Sequence, residues 1–276
     1  MNSNFDNKIY KNGVSAFISF TNYLLNIKRV NGDNRCYGAL LSFYATGGRK
    51  FKYLKKIFDE VFNKSLYKAG RMMQWSDWLV DSFFPREIYN DCDCSLDKMF
   101  EDERLYHKPS FSFDNKDCYH SFYGRMSRKR KMFSQYGNFD NFMQLLLYRL
   151  SDDRLKKMPM YYIDIEKPDW VLEHIAKNPN QIKTGRTSVS CIMNMMFRWN
   201  IGYDCLQVSL IVRHNQWTHL WEEIFGSIEM VIAIENELKL KNKTIINVYF
   251  LSATLDEPTK AKQIINSFNV RMQNEK

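Results

Sequence analysis

The chain has 276 residues, 45% of them hydrophobic and 15% aromatic, with a net charge of +9 and an isoelectric point near 9.1. That is enough apolar material for one large core or two small ones, and no apolar run reaches the ~20 residues of a membrane span. A basic balance suits polyanions, either nucleic acid or phosphorylated small molecules, without choosing between them. No stretch is rich enough in Pro, Gly or Ser to be a linker, and no internal repeat is visible, so residues 1–276 are read as one domain. The start, MNSNFDNK, is polar, unlike a secretory leader. The six Cys are therefore expected as reduced thiols of a cytoplasmic protein.

Residues 14–30 carry Phe17, Phe20, Tyr23, Leu24 and Ile27 at helical spacing, and Asn31-Gly32 marks a stop. Arg35 and Gly38 are placed in the following loop, and Ala39 to Ala45 in a strand. Residues 51–67 predict an amphipathic helix with Phe51, Leu54, Ile57, Phe58 and Val61 inward and Glu60 near that apolar side. The next predicted helix, MQWSDWLVDSFF, stops at Pro85. The acidic segment beyond it reads as loop and short helix. Its Cys92, Cys94, His107, Cys118 and His120 are residue types that zinc takes, but their spacing matches no standard pair of knuckles, so no metal is expected.

The run Arg128–Lys131 lies between aromatics, a composition that binds nucleic acid in some proteins and is more often a solvated face. Asn138 or Asp140 is the expected cap of a helix with Phe142, Leu145, Leu146 and Leu150 inward. A strand (MPMYYIDIE), a short helix over 169–177 and a loop follow. Beyond the hairpin described next come a helix over 220–238, an apolar strand (TIINVYFLSATL) and a closing helix with Pro258 in its first turn. This order, without βαβ regularity or a Gly-rich phosphate loop, predicts an α+β fold: a mixed sheet with a long hairpin and flanking helices.

The hairpin is the most informative stretch. In SVSCIMNMMFRW the residues Val189, Cys191, Met193, Met195 and Phe197 alternate against Ser190, Ile192 and Asn194, and in CLQVSLIV Leu206, Val208, Leu210 and Val212 share a face. Asn200 and Gly202 are turn formers. A hairpin centred on Gly202 sets Cys191 opposite Arg213. A fixed cation beside a thiol favours the thiolate, the nucleophilic form. The alternative is a buried Cys on an apolar strand and an Arg that caps the strand end.

This order of elements and several local strings resemble the thymidylate synthase superfamily, which includes the deoxycytidylate hydroxymethylases. The resemblance is carried by NGDNRCYGALLSFYA, DEVF, Tyr123-Gly124, SVSC and LIVRHNQW. It implies phosphate-binding roles for Arg35 and Arg213, and for Lys156 and Lys157 reaching across a homodimer interface to the partner's site. It implies Cys191 as the nucleophile, Glu60 as an organiser of proton transfers, tuned by burial, and Tyr123 as a third catalytic group. Base contacts fall to Asn215 and Gln216. A pyrimidine nucleoside monophosphate is the implied substrate and a reduced folate, methylenetetrahydrofolate, the implied cofactor, with Trp217 or Trp221 as aromatic walls. The sequence departs from the family's pattern at several places. His214 and Gln216 replace a Ser and an Asp, Ile224 stands where an Asn or Asp reads the ring, Met196 replaces a Gln, the late His-x-Tyr is missing, and the hairpin has two extra residues. Two readings follow: a divergent carbon-5 methyl- or hydroxymethyltransferase, or a catalytically inactive relative whose basic surface binds nucleic acid or a protein assembly.

Overall fold

The computed structural model describes residues 8–45, 49–63, 65–68, 71–105, 139, 141–157, 161–164, 192–240 and 244–274. The order is β1 (Ile9–Tyr10), α1 (Gly13–Asn31), β2 (Arg35–Tyr44), α2 (Arg49–Phe62), β3 (Ser65–Lys68), β4 (Arg71–Gln74), α3 (Trp75–Phe83), α4 (Arg86–Asp91) and α5 (Leu96–Glu101). Then follow α6 (Phe142–Ser151), β5 (Tyr161–Asp164), β6 (Ile192–Asn200), β7 (Cys205–Val212), β8 (Asn215–Gln216), a π turn (Glu222–Gly226), α7 (Ser227–Glu237), β9 (Ile245–Thr254) and α8 (Pro258–Gln273). The fold is α+β, as expected, with a mixed sheet flanked by helices. Among the described residues no helix is long and apolar enough to cross a membrane.

The sheet runs β1-β2-β9-β7-β6-β5, with β8 also on β9. β2 is antiparallel to β9, and β7 and β8 are parallel to it. One sheet face is dry: the row Leu41–Val248–Leu210–Met195 crosses four strands and is fully buried. The next row, Leu40–Tyr249–Ile211–Asn194, points the other way, with Leu40 and Tyr249 at 36% and 39% exposure. Alternation of this kind belongs to a sheet packed on one side only.

Several boundaries differ from the sequence reading for local reasons. Strand β2 begins at Arg35 rather than Ala39, because its antiparallel ladder runs to Arg35↔Thr254. Helix α2 stops at Phe62: Asn63 takes a left-handed conformation (φ 40°) and donates to Asp59 O, and residues 65–68 pair with 71–74 as a small hairpin. The cap of α6 is Asn141, whose Oδ1 accepts from Gln144 N at 3.0 Å. The α1 stop is as read, with Gly32 left-handed at φ 70°. The expected helix over 169–177, the loop after it and the basic run 128–131 lie outside the described residues.

The hairpin closes on Asn200↔Cys205, half a residue beyond Gly202, and a bulge at Met193 takes the shift back, so that its last pair is Ile192↔Val212. The same bulge changes which side chains face the core. Ile192, Met195 and Phe197 are buried, whereas Met193, expected with Met195, is half-buried.

The expected amphipathic helix over 220–238 is a π turn running into α7, and it is buried nearly all round. Gly226 allows α3 to lie against it: a Cβ there would meet Phe83 Cβ at 2.4 Å and Cγ at 2.8 Å. Gly226→Ala should therefore lower stability by about 1–3 kcal/mol, the usual range for overpacking, read as a fall in the denaturation midpoint with an unchanged denaturant slope.

Candidate functional site

Strands β7 and β8 share one register on β9, so β8 continues β7 after a two-residue break, Arg213-His214. Thr254 pairs with Gln216 on one side and with Arg35 on the other. The sheet thus brings Arg35 and the 213–216 stretch, far apart in sequence, to the same end of β9. His214 directly follows Arg213 and lies within the field of both cations. Its Nδ1 is 2.8 Å from Ser252 Oγ, and that hydroxyl donates to Arg213 O at 3.3 Å. Burial lowers the His214 pKa, and the positive fields of Arg35 and Arg213 lower it further. Arg35 and Arg213 are both exposed. The corner therefore offers two guanidiniums and a neutral imidazole to solvent, a composition suited to a phosphate.

Cys191 and Tyr123 lie outside the described residues. Arg213 directly follows Val212, the partner of Ile192 in the last described pair of the hairpin. Asn215 is 1% exposed, and its amide donates to Glu223 Oε2 at 2.7 Å; Gln216 is exposed. Glu60 is not at the corner. Its side chain is 51% exposed, against the expectation of burial, and pairs with Arg271 at 3.1 Å and Lys56 at 3.9 Å. Lys156 pairs with Asp153, and its Nζ also lies 4.6 Å from the Trp199 ring centre. Lys157 is exposed.

Trp217 and Trp221 are 1% and 0% exposed and form the aromatic core with Phe17, Phe58 and Phe225, so neither is an open wall. Trp217 Nε1 donates to Thr21 Oγ1 at 2.9 Å. Trp75 and Trp78 are the half-buried indoles of this region, with ring centres 5.1 Å apart. Among the described residues no cluster of three metal-ligating side chains forms. Cys92 and Cys94 face Asp102 and Asn90, and His107, Cys118 and His120 lie outside the described residues.

One group of polar residues was given no role by the sequence reading. Glu222 and Glu223 interrupt an apolar run and are 9% and 1% exposed. Ser82 Oγ donates to Glu222 Oε1 at 2.9 Å, and His219 Nδ1 is 3.3 Å from Glu222 Oε2. Burial works against the charged form of His219, but the bond to Glu222 and the charges of Glu222 and Asp256 outweigh it and raise its pKa. Burial pushes the Glu223 carboxyl well above the carboxylate range, and the charge of Glu222 adds to that. The signal in the sequence was two adjacent acids in a segment otherwise apolar enough to be core.

No family model matches the chain, and no curated protein does. Among solved structures it is similar to the thermostable thymidylate synthase A of Bacillus subtilis, with a TM-score of 0.41 and 10% identity over 93% of this chain and 84% of that one. It is also similar to the thymidylate synthase of T4 phage, with a TM-score of 0.41 and 14% identity over 89% and 79%.

A carboxyl whose pKa is raised on folding costs nothing below its unfolded pKa. Its cost grows as pH rises from there to the folded pKa. Glu223→Gln removes that cost and keeps the bond from Asn215. The variant should match the parent in thermal melts at pH 4 and exceed it at pH 8 by about 1–3 kcal/mol, the scale of one buried polar group.

Proposed function

We propose that this chain is a divergent pyrimidine-nucleotide carbon-5 methyl- or hydroxymethyltransferase that works through a Cys191 thiolate. The observation that supports it is the convergence of Arg35 and Arg213 at one end of β9, both acting on His214. The substrate is a pyrimidine nucleoside monophosphate whose phosphate sits on these two guanidiniums. Addition of the Cys191 sulfur to carbon 6 makes carbon 5 of the ring nucleophilic. Arg213 lowers the thiol pKa as well as holding phosphate. Tyr123 is a further catalytic group. Gln216, exposed beside the corner, and Asn215, behind it on Glu223, belong to base recognition. Glu60 keeps a proton-handling role only if it leaves Arg271.

The proposed donor is a reduced folate, methylenetetrahydrofolate. Trp217 and Trp221 do not fit it, being core residues, whereas Trp75 and Trp78 offer half-buried planar surface of the kind a fused ring stacks on. When bound, the folate would supply the one-carbon unit.

A second reading, a non-catalytic nucleic-acid binder, has its own observation. A cleft of about 630 Å³ between α1 and the start of α8 is lined by Lys28, Arg29 and Lys262 with Asn22, Asn26 and Thr259, and by no described carboxylate. Calorimetry with dUMP, dCMP and a short DNA at two salt concentrations separates the two. Tight polymer binding that collapses with salt, without nucleotide binding, favours the second.

Alkylation tests the nucleophile directly. Burial pushes the Cys36 thiol up to about 11 and raises Cys205 and Cys92 as well, so these should react slowly at pH 7. Cys94 is exposed and is the comparator. Cys191 should outpace it, and dUMP or dCMP should protect Cys191 alone. Arg213→Ala should slow its alkylation and weaken nucleotide binding together, and an inert, unprotected Cys191 would sink the reading.

The chain is also proposed to form a homodimer, with Lys156 and Lys157 supplied to the partner's phosphate site. Tyr37, Leu40, Tyr249 and Leu251 expose apolar surface on β2 and β9. An obligate interface there should bury more than ~2,000 Å². Sedimentation at micromolar concentration should show twice the 33.1 kDa chain mass, and Leu40→Glu should shift it to monomer. A wild-type monomer under those conditions refutes the dimer.

A further inference from the structure

The Glu222–His219 pair has the geometry of an acid–base dyad. His219 sits in a short 3-10 turn, and its side chain is 32% exposed, against 12% for Glu222. Glu222 uses both carboxylate oxygens, one for Ser82 and one for His219 Nδ1, so it is fixed in place. A carboxylate only accepts, so Nδ1 carries a hydrogen and Nε2 is the ring nitrogen that this bond leaves over. The ring adjoins the half-buried indoles: its centre is 6.4 Å from Trp75 and 6.5 Å from Trp78.

Two adjacent buried carboxyls do not both ionise readily. Their surroundings tell them apart. Glu223 is the more deeply buried, at 1% exposure against 9% for Glu222, and burial favours its neutral form. Glu222 instead has Ser82 Oγ on one oxygen and the His219 ring on the other. The negative charge then rests on Glu222, against the imidazole. The charge of Asp256 also favours a charged His219. Asp256 is held by Thr218 N at 3.1 Å and Oγ1 at 2.6 Å. On α3, Asp77 and Asp81 are occupied by Arg86 at 2.9 and 2.8 Å.

We propose that His219 and Glu222, with neutral Glu223 behind them, form a proton-donating dyad that engages a carbonyl oxygen of the substrate's pyrimidine ring. This rests on the nucleotide reading above. As the sulfur–carbon bond forms at carbon 6, the electrons of the ring double bond move onto that oxygen, and Nε2 gives it a proton. When those electrons return to close the new bond at carbon 5, the proton returns to Nε2, and none is consumed. The charge of Glu222 stabilises the imidazolium at both ends of this cycle.

The test is a long-range proton–nitrogen NMR titration of the imidazoles in the full-length protein, with His219 assigned by loss of its signal in His219→Gln. The expected result is a His219 that holds its proton to higher pH than an ordinary imidazole, that loses this property in Glu222→Gln, and whose Nε2 signal moves when dUMP or dCMP is added. In turnover, His219→Gln should lower kcat about 100-fold, with KM within threefold. A nucleotide that binds in an Arg213-dependent way while His219 stays unmoved overturns the dyad and leaves the nucleotide reading intact. Absence of any nucleotide binding overturns both, and a His219 that titrates like a free imidazole overturns the dyad on its own.

Discussion

Everything in this molecule depends on where the chain goes after β7. From Asn215 to Ile234 it leaves the sheet and runs buried through the protein, with Trp221 against Phe17 of α1 and Phe51 and Phe58 of α2, and Gly226 against Phe83 of α3. A helix buried all round gains apolar contact on every side, but it has no solvent face on which to place polar groups. Most of the polar groups carried into that segment are satisfied where they land, Asn215 Oδ1 and Trp221 Nε1 excepted. Asn215 turns to Glu223, Thr218 to Asp256, Trp217 to Thr21, Ser227 to the carbonyls of Glu223 and Ile224, and Glu222 to Ser82 and His219. The polar residues beside the candidate site are thus also what allows this segment to be buried.

The sheet was largely legible because alternation is a strong signal wherever one face is dry. The face of β7 carrying Leu206, Val208, Leu210 and Val212 came out as read. β6 did so only up to its bulge, since one extra residue reverses the parity of all that precede it and alternation alone does not reveal it. The π turn was illegible for a related reason. It is a single-turn defect inside a run apolar on all sides, and such a run has no period against which to detect a slip. Asn63, by contrast, is a stop signal in its own right: it accepts left-handed geometry and ends the helix although the apolar pattern runs beyond it.

The site was legible in a different way. Nothing in spacing or composition joins Arg35 to Arg213; the resemblance named them, and the strand order explains how they meet, through β9 between them. The resemblance also named Glu60, which the structure places on an exposed helical surface, and Trp217 and Trp221, which it places in the core. These three share a cause. Helical periodicity gives the inward side of a helix, but not what stands opposite it. An inward Trp becomes core when Phe17 and Phe58 fill the space that a ligand would need.

The two histidines of this stretch show how charge is sorted along it. His214 and His219 are only five residues apart, yet their surroundings push them in opposite directions. Partial burial and the guanidiniums of Arg35 and Arg213 disfavour a charged His214, whereas Glu222 and Asp256 favour a charged His219 despite burial. Positive charge therefore stays on the exposed arginines at the sheet end, and negative charge is drawn inward to the turn behind them. An anion approaching this end meets the cations first, and the acids are set back behind the ring of His219.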